Sequence, residues 1–288
     1  MKLSFRSATF DLDEKPYVMG ILNLTPDSFW DGGRYADTDQ AIKRAEEMVA
    51  EGADIIDVGG ESTRPTAEPI DEAEELRRIG KVIERLARVL PVPVSVDTRR
   101  ARVAAEAISL GAQMINDVSG FAFDPEMAGV ARGSGAPVVL MHMRGVPATM
   151  QSLTSYGDVV TDVKAELADR VRAAESAGIR PEKIVVDPGI GFAKTAEQNV
   201  EIIARLDEFA ELGKPILIGP SMKSFIGKTL GLGPADRREA TIASCVAARS
   251  RGANIFRVHD VAGVARALAM ADLIERVPRG RGFEGAGK

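Results

Sequence analysis

Asp97, Asn116 and Asp187 each close a short run of Val, Ile or Met: Val94-Ser95-Val96, Met114-Ile115 and Ile184-Val185-Val186. Two carboxylates and an amide offer several acceptors and one fork of donors, which suits the edge of a flat heterocycle bearing amino and amide groups. A second set of residues is cationic. Lys223 follows Ile216-Leu217-Ile218-Gly219, and Arg257 and His259 close Ile255-Phe256. Arg257 can grip phosphate oxygens or stack on a ring, and His259 can donate to phosphate or act as an acid. Asn23 ends Val18–Leu22, and its amide oxygen is a hard ligand that could hold Mg²⁺ together with ligand phosphates. Glu61-Ser62-Thr63-Arg64-Pro65 combines hydroxyls with an Arg, a composition fit for anions. Gly189-Ile190-Gly191-Phe192 lacks the third glycine and helix context of a dinucleotide fingerprint. Its glycines allow backbone close to a ligand, with Phe192 as an apolar wall. Gly227-Lys228-Thr229 lacks the glycine-rich lead of a P-loop. Each residue also has a bland reading. A strand-end Asp is commonly structural, and His142 and Cys245 read best as a hydrogen-bonded and a buried residue.

The elements that must carry these side chains follow from the apolar runs. Parallel strands buried on both faces read as continuous Val- and Ile-rich segments. Eight such strands are predicted: Val18–Leu22, Ile55–Val58, Val94–Val96, Met114–Ile115, Val138–Met141, Ile184–Val186, Ile216–Ile218 and Ile255–Val258. Helical patterns separate them, at Asp37–Ala50, Ile70–Leu90, Arg99–Leu110, Glu126–Arg132, Tyr156–Ala177, Ala196–Leu212, Arg237–Arg251 and Val261–Arg276. Polar residues at strand end after strand end, with helices between, describe the mouth of a (β/α)8 TIM barrel of the α/β class, where active sites sit. The alternating stretch Leu3–Leu12 predicts an N-terminal β-hairpin closing the barrel bottom. The connections after the first, second and seventh barrel strands are long enough for lids. The last of them contains a short extra helix near Ser221–Lys228.

Composition bounds the rest. The chain has 288 residues, 45% of them hydrophobic, a net charge of −5 and one cysteine. That allows a large core, argues against a general nucleic-acid surface and excludes an intramolecular disulfide. No apolar run approaches the roughly 20 residues of a membrane span. No signal peptide is visible, so a cytoplasmic setting is expected. Residues 1–277 read as one domain, and the Gly- and charge-rich tail 278–288 is expected to be disordered.

With these segments in view, the chain resembles a dihydropteroate synthase, a pterin-binding barrel. The matching strings are Gly20-Ile21-Leu22-Asn23-Leu24-Thr25-Pro26-Asp27-Ser28-Phe29, Asp57-Val58-Gly59-Gly60-Glu61-Ser62-Thr63-Arg64-Pro65 and Ser95-Val96-Asp97-Thr98. Ile115-Asn116-Asp117, Asp187-Pro188-Gly189-Ile190-Gly191-Phe192 and Arg257-Val258-His259-Asp260 complete them. The resemblance implies condensation of 6-hydroxymethyl-7,8-dihydropterin diphosphate with p-aminobenzoate, with Mg²⁺ as cofactor, in folate biosynthesis. It implies a pterin site of Asp97, Asn116, Met141, Asp187, Phe192, Lys223 and Arg257. It implies diphosphate contacts from Asn23, Thr63, Arg64, Arg257 and His259, with Asn23 on the metal. It implies a p-aminobenzoate pocket of Phe29, Thr63, Pro65, Lys223 and Ser224, where sulfonamide inhibitors also bind. Asp97, Asp187, Lys223 and Arg257 would carry the catalysis, and a homodimer through the late helices is implied. One departure stands out: the family usually reads Ser-Arg-Lys-Ser where this chain has Ser221-Met222-Lys223-Ser224.

Two rival readings differ in class. A pterin-binding methyltransferase barrel would share the strand-end Asp and Asn set but would not need Thr63-Arg64-Pro65 or the Asn23 loop. A catalytically inactive relative that binds a pterin or a partner protein draws its support from Met222.

Overall fold

Alternate side chains of a barrel strand face the axis and the surrounding helices. That alternation sorts this chain. The computed structural model describes residues 1–25, 38–62 and 68–277. A hairpin comes first, β1 (Lys2–Ser4) antiparallel to β2 (Thr9–Asp11), with Leu3 opposite Phe10. The barrel strands are β3 (Tyr17–Asn23), β4 (Ile55–Gly59), β5 (Val94–Asp97), β6 (Met114–Asp117), β7 (Val138–Met141), β8 (Ile184–Asp187), β9 (Leu217–Ile218) and β10 (Ile255–Val258). They pair in parallel in the order β8-β7-β6-β5-β4-β3-β10-β9, and a bridge from Val186 to Ile216 closes the ring. This is a (β/α)8 TIM barrel with an N-terminal hairpin.

Helices α1 (Thr38–Ala50), α2 (Glu72–Val89), α3 (Ala101–Ser109), α4 (Met127–Ser134), α5 (Val159–Ser176) and α6 (Ala196–Ala204) alternate with the strands. Between β9 and β10 lie α7 (Ser224–Leu230), the extra helix, and α8 (Arg238–Arg249); α9 (Val261–Glu275) follows β10. Side chains mark where several begin. Asp71, Asp158 and Asp260 accept from the first turns of α2, α5 and α9, and Thr195 forms a capping box with Gln198 at α6. The predicted helix Ala196–Leu212 breaks at Arg205, whose backbone (φ −118°, ψ 29°) leaves the helical region, and continues as a 3-10 helix over Leu206–Leu212. Both pieces bury one apolar face, so periodicity could not mark the break.

The outward parity packs Val18, Ile56, Val96, Ile115, Val138, Ile184, Ile218 and Phe256 against the helices. The inward parity forms a separate core of Met19, Ile55, Met114, Val139, Val185, Leu217 and Ile255, and the hairpin residues Leu3, Phe5, Phe10 and Leu12 plug it from below. Arg6 Nη2 donates to the Ala112 carbonyl at 2.9 Å, Lys183 Nζ to that of Ser4, and Asn254 Nδ2 to that of Leu12 at 3.2 Å, which staples the plug to the barrel. Two residues further along five of these strands the inward parity delivers Asp57, Asn116, Met141, Asp187 and Arg257. The bottom of the barrel is therefore apolar and the top polar. Among the described residues no helix is long and apolar enough to cross a membrane.

Phe10 stacks on Tyr17 at 4.3 Å between ring centroids and is buried. Phe10→Ala should destabilise the fold by about 3 kcal/mol, read from urea denaturation midpoints. Because the plug lies at the opposite end from the mouth, kcat of the folded variant should stay at the parent value.

Candidate active site

Asp97 and Asn116 stand side by side in register at the ends of β5 and β6. Arg257 reaches to them from β10. Its Nη2 donates to Asp97 Oδ2 at 2.6 Å and its Nε to Asp57 Oδ2 at 2.6 Å. Asn116 Nδ2 donates to the same Asp57 oxygen at 3.0 Å, so the amide oxygen is turned to the other side. Burial raises the Asp97 carboxyl above its ordinary value. Arg257 pulls it back and Asp57 pushes it up again. Burial opposes the charge of Arg257, yet the carboxylates outweigh it and hold the guanidinium above its usual pKa.

The other half of the mouth is built on β8 and the segment after β9. Asp187 Oδ1 accepts from Gly189 N at 2.7 Å. Gly189 has φ +72°, and a Cβ there would lie 2.0 Å from the His142 carbonyl oxygen. The neighbouring backbone alone is enough to demand a glycine there. Lys223, immediately before α7, donates to the Ile190 carbonyl and places Nζ 4.6 Å from the Phe192 ring centroid. Burial lowers the Lys223 ammonium to about 8, against the pull of Asp187. Burial raises Asp187, against the pull of Lys223. Phe192 and Met141 belong to one apolar cluster with Val118, Met143, Met150 and Ala193.

Asn23 ends β3. A Cβ on Gly59 would meet Asp97 Oδ2 at 3.5 Å and Asn23 Oδ1 at 3.6 Å, so the glycine leaves room beside both oxygens. Among the described residues no group of three or more His, Cys, Asp and Glu could hold a metal. An amide oxygen near a carboxylate does fit Mg²⁺ arriving with a phosphorylated ligand, since that ion commonly keeps waters and takes few protein ligands.

His259 is exposed, with Nδ1 3.0 Å from Ser221 Oγ and its backbone N donating to the same hydroxyl at 3.1 Å. Ser224 is exposed as the first residue of α7. Met222 has φ +56°; its N donates to Thr241 Oγ1 at 3.0 Å, and Arg237 Nη1 donates to its carbonyl at 3.1 Å. A guanidinium thus stands against the backbone of the one position that departs from the family string. Phe29, Thr63, Arg64 and Pro65 lie outside the described residues.

Sequence reasoning missed Asp57, fully buried and bonded to both Arg257 and Asn116. The signal was present, a charge inside Ile55-Ile56-Asp57-Val58 at the inward parity. It also passed over Lys194, whose Nζ meets His142 Nδ1 at 2.9 Å.

A (β/α)8 barrel whose mouth sets carboxylates and an amide against Lys223 and Arg257 defines an enzyme class that grips a flat polar ring beside an anionic group. Comparison with known proteins narrows this. The model of the pterin binding enzyme family matches residues 19–259. The dihydropteroate synthase of Synechocystis sp. is 49% identical over 268 residues, covering 93% of this chain and 93% of that protein. The Yersinia pestis dihydropteroate synthase, solved with a sulfonamide drug, superposes with a TM-score of 0.91 at 41% identity, over 96% of this chain and 100% of that one. The Xanthomonas albilineans enzyme in complex with 7,8-dihydropteroate gives 0.87 at 39% identity, over 96% and 100%. The chain belongs to the dihydropteroate synthase family of pterin binding enzymes.

A lysine lowered to about 8 loses its charge well before an ordinary lysine does. Pterin affinity, followed by calorimetry from neutral to strongly alkaline pH, should fall as the pH rises through about 8. In Lys223→Arg that fall should be absent, because guanidinium stays protonated throughout.

Proposed function

We infer that this chain condenses 6-hydroxymethyl-7,8-dihydropterin diphosphate with p-aminobenzoate, releasing 7,8-dihydropteroate and diphosphate for folate biosynthesis. The observation that carries this reading is the convergence of Asp97, Asn116, Asp187 and Lys223 on one barrel mouth, in a chain matched over nearly its full length by dihydropteroate synthases.

The pterin ring lies with its amino and amide edge on Asp97, Asn116, Asp187 and Lys223, between the walls Met141 and Phe192. The C–O bond to diphosphate breaks and its electron pair leaves with the anion. The positive charge on the methylene spreads into the ring, where Asp187 and Asp97 stabilise it as fixed, partly desolvated charges. Arg257, His259, Thr63 and Arg64 take the departing anion. Asn23 would hold Mg²⁺, which would supply charge neutralisation on the diphosphate. The p-aminobenzoate nitrogen donates its lone pair to form the new C–N bond and then loses a proton. Its pocket is assigned to Lys223 and Ser224 with Phe29, Thr63 and Pro65, and sulfonamides compete there. The setting is the cytoplasm, since a diphosphate ester is too strongly hydrated to cross a bilayer unaided.

Diphosphate release measured with both substrates tests the assignment and separates it from its rivals. A methyltransferase or an inactive pterin binder would release none, and that result would overturn it. Asp187→Asn replaces an acceptor with a donor at equal shape. It should keep the fold and lose about 2–4 kcal/mol of transition-state stabilisation, measured as kcat/KM for the pterin substrate. Parent-level turnover in this variant would remove Asp187 from the mechanism.

The chain is further proposed to be a homodimer. Met270, Leu273 and Ile274 are exposed on α9 at the spacing of one helix face. Sedimentation velocity should give a dimer for the parent and a monomer for Ile274→Asp.

A further inference from the structure

Residues 189–193 connect β8 towards α6 without regular secondary structure, and Gly189, Gly191 and Ala193 take φ of +72°, +84° and +49°. Every carbonyl of this segment accepts from a side chain. Those of Gly189 and Phe192 accept from Lys194 Nζ at 3.1 and 3.0 Å. That of Ile190 accepts from Lys223, that of Gly191 from Gln151 Nε2 at 3.3 Å, and that of Ala193 from Tyr156 Oη at 2.9 Å. The path of the turn is therefore fixed largely by donors outside it.

Lys194 is the most deeply placed of these donors, 3% exposed, and its further contact is His142 Nδ1 at 2.9 Å. His142 is fully buried, with Nε2 3.0 Å from Glu166 Oε2, and Glu166 also accepts from Arg144 Nε at 2.9 Å. The donor count fixes the protons. The hydrogen bond to His142 holds Glu166 at about 2, so it is an acceptor only and His142 Nε2 carries the ring proton. Nδ1 is then an acceptor. Burial draws the Lys194 pKa well below that of an ordinary lysine, against the pull of Asp187, and Nζ has acceptors in the Gly189 and Phe192 carbonyls and in His142 Nδ1.

Burying a lysine nitrogen is costly, and a methionine would fill the same space without that cost. What the lysine does that a methionine cannot is hold two carbonyls of a left-handed turn. We propose that Lys194 is a positioning residue for the pterin half of the site. Through Gly189 and Phe192 it sets the turn whose Ile190 carbonyl orients Lys223 and whose Phe192 ring walls the pocket. Its Nζ is taken up by Gly189, Phe192 and His142, so it acts through the turn. The inference rests on the reaction proposed above.

The test follows Lys223 directly, by NMR of its side chain labelled at Cε and assigned with Lys223→Arg. In the parent Lys223 titrates at about 8, among Asp187, Arg257 and Asp97. In Lys194→Met the Ile190 carbonyl shifts away, the Lys223 nitrogen meets more water, and its titration moves up towards that of an ordinary lysine. At the same time kcat/KM for the pterin substrate falls about tenfold or more, as misplacement of binding groups predicts. Tyr156→Phe strips a neutral donor from the same turn and moves both readouts in the same direction by less. That shift cannot come from the loss of a like charge near Lys223. Any other pattern overturns the assignment, including unchanged readouts or a shift confined to Lys194→Met. If Lys194→Met does not fold, Tyr156→Phe decides alone on the same readouts. The titration needs no turnover, so an inactive parent would overturn the proposed reaction, and the Lys223 titration would then decide this assignment by itself.

Discussion

One guanidinium held between two carboxylates organises the mouth of this barrel. In the strand order, Arg257 on β10 reaches past β3 to Asp57 on β4 and Asp97 on β5, so it ties together strands that are not neighbours. A buried ion pair contributes little net stability when intact, but stranding one partner costs roughly 3–5 kcal/mol. Each member therefore depends on the other two. Asn116 depends on them in turn, because its amide is oriented by the Asp57 oxygen that also binds Arg257. The mouth is prearranged by charges that face one another, and a ligand meets side chains already fixed in direction.

Strand alternation explains how so polar a set sits on so apolar a barrel. On β4, β6, β8 and β10 the inward side chain changes from Ile, Met or Val to Asp, Asn or Arg within two residues. The hairpin makes this possible. It covers the apolar end with Leu3, Phe5, Phe10 and Leu12, which leaves the other end open to hold charge.

Much of this was legible in the sequence. The eight strands were marked by Val and Ile runs, and the extra helix by the segment around Lys223. Asp97, Asn116, Asp187 and Arg257, which close four of those runs, lie on the inward parity. Asp57 was not found because it stands inside a strand, where a charge looks like an interruption and not a terminus. Its role depends on partners 59 and 200 residues away in sequence. Lys194 was missed for a related reason. Its partners are backbone carbonyls and a histidine on another connection, and no spacing rule encodes such a contact. The break at Arg205 was hidden because both of its arms bury the same kind of face.

The ring of strands is not equally strong all round. β9 pairs with β10 at Leu217 and Ile218, and it meets β8 through the Val186–Ile216 bridge, beside a bond from Val186 N to the Pro215 carbonyl at 2.9 Å. Asp187 ends the strand on one side of this thin joint, and Lys223 follows the strand on the other. A bound molecule that grips both is a rung across the joint, so part of its attraction for the protein becomes resistance to opening. The reverse also holds. A pull that parted β8 from β9 would separate the two groups before it disturbed the remaining strand pairs, and the molecule would lose its grip on a ligand while most of the barrel was still standing.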